Sequence, residues 1–178
     1  AIEWCIDHQL KIVVDLHIIR AHHFNAQEKP LWDDPQEQVK FINLWKQLSG
    51  ELGKYPVNIV AYELMNEAVA DDPQDWNDLI AQTLDTLRNI EPDRKIVVGS
   101  NRWQNVDTFK DLIVPDDENL ILSFHFYIPF LLTHHTASWV KIGEYNGPVK
   151  YPGNVVDEKD LQGLPDDLRQ EMSHYTKV

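Results

Sequence analysis

Cysteine, basic side chains and long apolar runs are all scarce in this chain of 178 residues. Cys5 is the single cysteine, which excludes an intrachain disulfide and leaves any zinc site to histidine and carboxylate ligands. The 16 basic side chains stand against 29 acidic ones, and the net charge of -13 repels phosphate backbones and anionic lipid surfaces. No run approaches the roughly 18 apolar residues of a membrane helix. We therefore expect a neutral substrate and neither nucleic acid nor a membrane as a partner.

Length and composition favour one folded domain over residues 1–178. Hydrophobic residues make up 43% of the chain, which is enough for a sizeable core. The chain begins without methionine in a segment that is already helix-like, and the helix predicted from Pro165 has no packing partner after it. We expect an internal piece of a longer protein.

The hydrophobic pattern alternates between strands and helices. Apolar runs predict strands over 11–17, 57–67, 95–99 and 119–126. Between them, spacings of three and four predict a helix over 36–52 with Val39, Ile42, Trp45, Leu48 and Leu52 on one face. A second helix opens at an Asp72 cap with Pro73 in its first turn, and 105–113 forms a short helix. Such an alternation is typical of a parallel α/β sheet.

Each predicted strand ends in polar or aromatic residues, and this favours a closed barrel over an open sheet. Glycine is rare, with 7 residues, and the glycine-rich first turn of a nucleotide-binding sheet is absent. A (β/α)8 barrel gathers groups from several strand ends on one face. The strand-end groups are His17, Asn66 with Glu67, Ser100 and Asn101 with Trp103, and His125 with Tyr127.

Several segments resemble one enzyme family in order and in register. The sequence YELMNEAV at 62–69 is similar to the signature around the acid/base glutamate of glycoside hydrolase family 5, which contains endoglucanases and mannanases. VVDLH at 13–17 resembles the third strand of that family, and SFHFYIPF followed by LLTHHTASW at 123–139 resembles its sixth strand and substrate loop. The resemblance implies a (β/α)8 TIM barrel of which this chain holds about half, strands three to six.

The same resemblance implies roles for individual residues. Glu67 would be the general acid/base, and Asn66 would hydrogen-bond the sugar 2-hydroxyl group. The side chains expected to line the substrate cleft are His17, His125 and Tyr127, with Trp103 and Trp139 as sugar platforms. The substrate would be a β-linked polysaccharide of the glucan, cellulose or mannan type, and neither a metal nor an organic cofactor is implied.

The resemblance is incomplete, because a retaining glycosidase needs a second carboxyl group at about 5 to 5.5 Å from the first. The family nucleophile lies on a seventh strand that this sequence lacks. Glu144 follows too soon after Tyr127, and Glu63 is four residues from Glu67 along a strand, roughly 13 Å away. We expect this chain alone to be inactive. Ala68 replaces the usual proline and His135 the usual glutamine, so the chain is a divergent relative.

Two other functions fit parts of the sequence. A non-catalytic carbohydrate-binding or half-barrel assembly module would expose two unpaired sheet edges and could self-associate through them. A metal-dependent hydrolase would use His17, His22 and His23, although no carboxylate at a suitable spacing completes that set. His17 could also have a purely structural role, with Asp15 on the same strand face orienting its ring.

Overall fold

The structure, a computed structural model, describes residues 1–174 and contains two compact units, one over Ala1–His125 and a second that begins at Phe126. The expected single domain over 1–178 stays a prediction. Among the described residues, no helix is both long and apolar enough to cross a membrane.

A four-stranded parallel sheet forms the centre of the first unit. Its strands are β1 Ile12–Asp15, β2 Val60–Glu63, β3 Ile96–Gly99 and β4 Leu120–Ser123, and they pair in chain order. The register places Asp15 opposite Glu63 and Gly99 opposite Ser123. Because all four strands run in one direction, their C-terminal ends lie along the same edge. The predicted parallel α/β arrangement is confirmed.

Helices connect the strands. They are α1 Ile2–Asp7, α2 Pro30–Asp33, α3 Pro35–Leu52, α4 Pro73–Arg88, the irregular turn α5 Asn101–Gln104 and a 3-10 helix over Val106–Asp111. Asp34 and Asp72 cap α3 and α4, since each side chain accepts a hydrogen bond from the main-chain N–H two residues on, at 2.9 Å. A proline follows each cap, in the first turn where its missing N–H costs nothing. The predicted Asp72 cap is confirmed.

Two buried helix tryptophans tie α3 and α4 to the ends of the strands. Trp45 donates from Nε1 to the carbonyl of Leu64 at 2.9 Å, and Trp76 donates to the carbonyl of Gly99 at 3.0 Å. Both side chains are at most 1% exposed, so each bond satisfies a polar pair that the core would otherwise leave unpaired. The helices therefore fix the main chain where β2 and β3 enter the candidate site.

Three predicted details of these elements are wrong. The strand predicted over 57–67 spans only Val60–Glu63, because Ile59 and Val60 donate back to the carbonyl of Pro56 and close a turn. The strand predicted over 119–126 ends at Ser123. Val39 is 49% exposed: the buried line of α3 follows Phe41 and Trp45, and Val39 lies about 200° around the helix from Phe41.

The second unit is built from short helices and long connections. Its elements are α6 Phe130–Thr133, a 3-10 helix over Lys141–Glu144, α7 Glu158–Leu161 and α8 Asp166–Ser173. Leu131, Ile142, Tyr145, Val155, Val156, Leu168 and Met172 form a separate buried cluster. The start of the last helix after Pro165 agrees with the sequence prediction.

Candidate active site

Glu67 lies on a short segment beyond the end of β2. Leu64 continues the sheet pattern by donating its N–H to the carbonyl of Val97 at 3.2 Å, and Asn66 donates to the carbonyl of Leu16 at 3.2 Å. Glu67 itself has a left-handed main chain, with φ of 51°. That conformation is uncommon for a residue other than glycine or asparagine and is typically found where surrounding contacts enforce it.

The carboxylate of Glu67 is held by His125. Nδ1 of His125 lies 2.7 Å from Oε1 of Glu67, and the two side chains are 25% and 14% exposed. When Glu67 is ionised its oxygens can only accept, so Nδ1 carries the proton and donates it to a charge-assisted hydrogen bond. Both side chains are partly exposed, which leaves the carboxyl group accessible to a ligand.

His22 supports the same segment through its main chain. Nε2 of His22 donates to the carbonyl of Glu67 at 3.2 Å, while the ring packs edge-on against Trp32. Burial is the main cause that lowers the pKa of His22 below 6.5, and the hydrogen bond to Glu67 opposes it only in part. The buried Nδ1 has no hydrogen-bond partner within residues 1–174. His22 is therefore a neutral support that fixes the main chain of Glu67.

Asn66 and His17 occupy neighbouring strand ends. The side chain of Asn66 is 7% exposed and makes no hydrogen bond within the described part of the chain, so its amide can serve a ligand. Nδ1 of His17 donates to Oδ2 of Asp15 at 2.8 Å, and 61% of the His17 side chain is exposed. Asp15 thus orients His17, as one interpretation of the sequence suggested.

A turn after β3 closes over this segment with three consecutive left-handed residues. Arg102, Trp103 and Gln104 have φ of 57°, 63° and 54°. Such a conformation costs about 1 to 2 kcal/mol for each L-residue, so other contacts must hold it. Asn101 supplies two of them: its buried amide accepts from the N–H of Ala70 at 2.8 Å and donates to the Ala70 carbonyl at 2.9 Å.

The turn presents Trp103 beside the site. Its indole Nε1 donates to the carbonyl of Phe24 at 3.1 Å, and 43% of the side chain is exposed. Its main-chain N–H donates to the carbonyl of Ala68 at 3.3 Å, next to Glu67. An aromatic face fixed at both ends in this way is suited to stack on an apolar sugar face.

Gln104 and Glu63 also belong to the site, although neither was predicted from the sequence to take part in it. Nε2 of Gln104 donates to Oε1 of Glu63 at 3.0 Å and to Oγ of Ser123 at 2.6 Å, while Oε1 of Gln104 accepts from the N–H of Glu67 at 2.9 Å. Burial is the main cause that raises the pKa of Glu63, and the charge of Asp15 adds to it. The polar residues after β3 indicated a site near Gln104. The contacts of Gln104 depend, however, on a left-handed turn that contains no glycine and therefore could not be predicted from the sequence.

Tyr127 and Trp139 belong to the second unit. Tyr127 is 45% exposed and Trp139 is 67% exposed, and both rings pack edge-on against His134, at centroid distances of 5.1 and 6.4 Å. The predicted shared strand face for His125 and Tyr127 is wrong, because β4 ends at Ser123 before either residue.

The described residues do not support the metal-hydrolase hypothesis. Within residues 1–174, no three His, Cys, Asp or Glu side chains are grouped closely enough to hold a metal ion. His22 directs Nε2 at a carbonyl, and His23 stacks on Phe24 at 4.6 Å.

Comparison with known proteins gives one family. A model of cellulase, glycosyl hydrolase family 5, matches residues 1–175. The chain is 34% identical over 154 residues to Endoglucanase C of Acetivibrio thermocellus, covering 85% of this chain and 45% of that protein. It is 32% identical over 142 residues to Cellodextrinase A of Ruminococcus flavefaciens, covering 78% and 42%. The chain thus spans less than half the length of these relatives.

Solved structures of similar proteins agree on the fold. Endoglucanase Cel5A from the hyperthermophilic Thermotoga maritima is 27% identical with a TM-score of 0.69, covering 98% of this chain and 50% of that one. A hyperthermophilic endo-β-1,4-glucanase in complex with substrate is 27% identical with a TM-score of 0.67, covering 78% and 42%. The parallel sheet therefore corresponds to about half of a (β/α)8 TIM barrel, and the chain belongs to the cellulase family, glycosyl hydrolase family 5.

Proposed function

We propose that Glu67 is the general acid/base of a retaining glycoside hydrolase that acts on β-linked glucans or mannans. The observation that carries the proposal is the carboxyl group of Glu67, fixed by His125 at 2.7 Å and accessible at the C-terminal edge of a parallel sheet. Catalytic groups of barrel enzymes are placed at this edge. Membership of a cellulase family makes glycosidic hydrolysis the natural reaction for such a group.

The proposed roles follow from the chemistry of double displacement. Protonated Glu67 gives its proton to the glycosidic oxygen as that bond breaks, and the resulting carboxylate then takes a proton from the water that attacks the intermediate. His125 keeps the carboxyl group in place in both steps. The side-chain amide of Asn66, which makes no hydrogen bond to the described residues 1–174, hydrogen-bonds the sugar 2-hydroxyl, a contact that strengthens in the transition state.

The substrate class rests on the relatives and on exposed aromatic side chains. The named relatives are endoglucanases and a cellodextrinase, and Thermotoga maritima Cel5A has been solved in complexes with cellobiose and with mannotriose. In the first unit, Trp103 exposes an aromatic face that suits a pyranose ring, and His17 is a polar group for sugar hydroxyls. In the second unit, Trp139 and Tyr127 are exposed aromatic side chains that suit sugar rings in the same way.

The nucleophile of the proposed reaction lies outside this chain. Glu144 forms an ion pair with Lys141 at 2.8 Å on an exposed 3-10 helix of the second unit. Glu63 accepts hydrogen bonds from Gln104 and Ser123. Neither carboxyl group is presented as a second catalytic partner of Glu67, so the chain supplies the acid/base half of the mechanism.

The purified chain is expected to bind cello-oligosaccharides without hydrolysing them. The acid/base cannot complete a two-step reaction alone, whereas the sugar contacts of Asn66 and Trp103 remain. Release of reducing sugar from soluble β-glucan and changes in tryptophan fluorescence on adding cellotetraose measure the two properties. Trp103→Ala should lower the affinity for cellotetraose measured by titration calorimetry, and Trp4→Ala, at another exposed tryptophan, should leave that affinity unchanged. Turnover that Glu67→Gln abolishes would show that a nucleophile is present after all.

Assembly with a second copy is a second candidate function, favoured by the exposed inner face of the sheet. Leu120 packs on the helix side, so its neighbour Ile121 points to the opposite face, where it is 44% exposed. Val13 on β1 likewise points to the face opposite the helices and is 49% exposed. Within residues 1–174, β1 and β4 each pair with one strand only. Pairing of two such sheets would cover these edges and side chains.

Self-association is expected to increase with salt. Two chains of net charge -13 repel each other, and salt shortens the range of that repulsion from about 30 Å at 0.01 M to about 10 Å at 0.1 M. Sedimentation velocity at the two ionic strengths measures the dimer fraction. Ile121→Lys should abolish the dimer, and Val39→Lys, at a similarly exposed position on α3, should not. A monomer under both conditions would contradict the assembly function.

A further inference from the structure

We propose that Gln104 is a positioning residue of the site, which holds both Glu67 and His125 and thereby sets the contact between them. Gln104 is 1% exposed, so its side chain is too buried to contact a ligand directly. Its importance for catalysis rests on the proposed function of Glu67, but its effect on the site geometry can be measured without any activity.

Gln104 contacts both partners of the Glu67–His125 hydrogen bond. Its side-chain Oε1 accepts from the N–H of Glu67 at 2.9 Å, and its main-chain carbonyl accepts from the N–H of His125 at 3.0 Å. The two residues it joins are 58 positions apart in the chain. One residue therefore fixes the main chains from which the side chains of Glu67 and His125 extend.

The remaining bonds of Gln104 restrict its side chain to one orientation. Nε2 donates to Glu63 at 3.0 Å and to Ser123 at 2.6 Å, so Oε1 must face the N–H of Glu67. Gly99 provides the space: a Cβ at that position would lie 2.2 to 2.5 Å from the side-chain atoms of Gln104. Both polar atoms of the side-chain amide and the main-chain carbonyl oxygen of Gln104 are thus hydrogen-bonded, and the observed orientation depends on glycine at position 99.

The left-handed turn from Arg102 to Gln104 is explained by this arrangement. Three consecutive residues with positive φ bring the chain back over the sheet immediately after Gly99. A regular helix or an extended segment after β3 would carry residue 104 away from Glu67. Glu67 has a positive φ as well, and its main-chain N–H donates to the side chain of Gln104, so the hydrogen bond joins two residues with strained main chains.

The test measures the Glu67–His125 contact in folded protein by NMR. In the original chain we expect an imidazole ¹⁵N pattern with the proton on Nδ1 of His125 and a nuclear Overhauser effect between its ring and the Glu67 side chain. Gln104→Met keeps the shape of the side chain but removes its hydrogen bonds to Glu67, Glu63 and Ser123, while the main-chain bond to His125 remains. We expect this variant to lose the Overhauser effect and to shift the His125 nitrogens towards a mixture of tautomers. Gln82→Met, the same change on the exposed face of α4, should reproduce the original pattern.

Two further measurements separate positioning from stability. The indole signals of the buried Trp45 and Trp76 report folding of the same unit, and only variants that retain them are compared. If Gln104→Met does not fold, Ser123→Ala removes one acceptor of the Gln104 amide from an edge strand and should give a smaller shift in the same direction. An unchanged His125–Glu67 contact in a folded variant would overturn the proposal.

The result is independent of the proposed function. A chain in which the contact depends on Gln104 but which binds no cello-oligosaccharide would contradict the glycosidase proposal and support the positioning role. If the original chain binds the sugar but the Glu67–His125 contact is unchanged in Gln104→Met, the glycosidase proposal is supported and the positioning role of Gln104 is contradicted.

Discussion

Glu67→Gln is expected to lower kcat on soluble β-glucan by about 10²- to 10⁴-fold in a chimera that supplies the rest of the barrel. In this chimera the chain replaces the 154-residue region of Acetivibrio thermocellus Endoglucanase C that it matches. Glutamine fits the space and can still contact His125, but it neither donates a proton to the leaving oxygen nor accepts one from water. Reducing-sugar release under saturating substrate measures the loss.

The leaving group provides a second measure of the same role. An aryl cellobioside with a good leaving group needs little protonation, so Glu67→Gln should slow its first cleavage step far less than that of β-glucan. Glu144→Gln is the matched control, because Glu144 is an exposed glutamate paired with Lys141 and should tolerate the change without loss of kcat. Equal losses for both substrates, or a loss in Glu144→Gln alone, would contradict the assignment of Glu67.

The elements that the sequence predicted well are those whose signals are local. Asp72 followed by Pro73 is a cap and first turn within two residues, and α4 begins there in the structure. The apolar run before Glu67 identified β2, but not its start, because Ile59 is equally apolar in a turn and in a strand. Val39 was assigned to the buried face by spacing alone, although the line through Phe41 and Trp45 was the better fit to the helical period.

The site was predictable only in part, because its support depends on distant contacts. Strand-end positions and the family resemblance indicated Glu67 and His125, which the fold brings to 2.7 Å. The role of Gln104 depends on its contact with Glu67, 37 positions away, and on a left-handed turn through Arg102 and Trp103. Neither residue type favours that conformation, so no local rule would have indicated it.

A buried ion pair at the opposite end of the sheet has the largest expected effect on stability. Arg94 is fully buried and donates to Oε1 of Glu91 from two nitrogens, at 2.6 and 2.9 Å, and to the carbonyls of Val60 and Tyr55 at 2.7 and 2.9 Å. Burial alone would raise the pKa of Glu91, but hydrogen bonds from Ser49, Arg94 and Tyr62 outweigh it and hold that pKa below 4.5. The pair therefore stays charged at neutral pH, and the hydrogen bonds of Arg94 to Tyr55 and Val60 hold the loop that precedes β2.

Arg94→Met should lower the free energy of unfolding by about 3 to 5 kcal/mol at pH 7, because it leaves the carboxylate of Glu91 buried and unpaired. Urea unfolding followed by tryptophan fluorescence measures the loss. A lowered pKa contributes stability that is present above the ordinary value of 4.5 and disappears as the pH falls below it. The difference between the two proteins should therefore shrink on acidification.

Two variants test whether Arg94→Met is unstable because Glu91 loses its ion-pair partner or because the arginine side chain itself is lost. Glu91→Leu combined with Arg94→Met removes both charges and should recover most of the stability, since an apolar replacement of a buried pair is often neutral. Arg20→Met makes the same substitution in an exposed guanidinium that pairs with Glu37, and Lys40 remains as a second partner there. It should cost a small fraction of the Arg94 effect. If the double variant were as unstable as Arg94→Met, the unpaired charge of Glu91 would not be the cause. The loss of stability would then come from the five hydrogen bonds that Arg94 donates to the surrounding carbonyls and carboxylate.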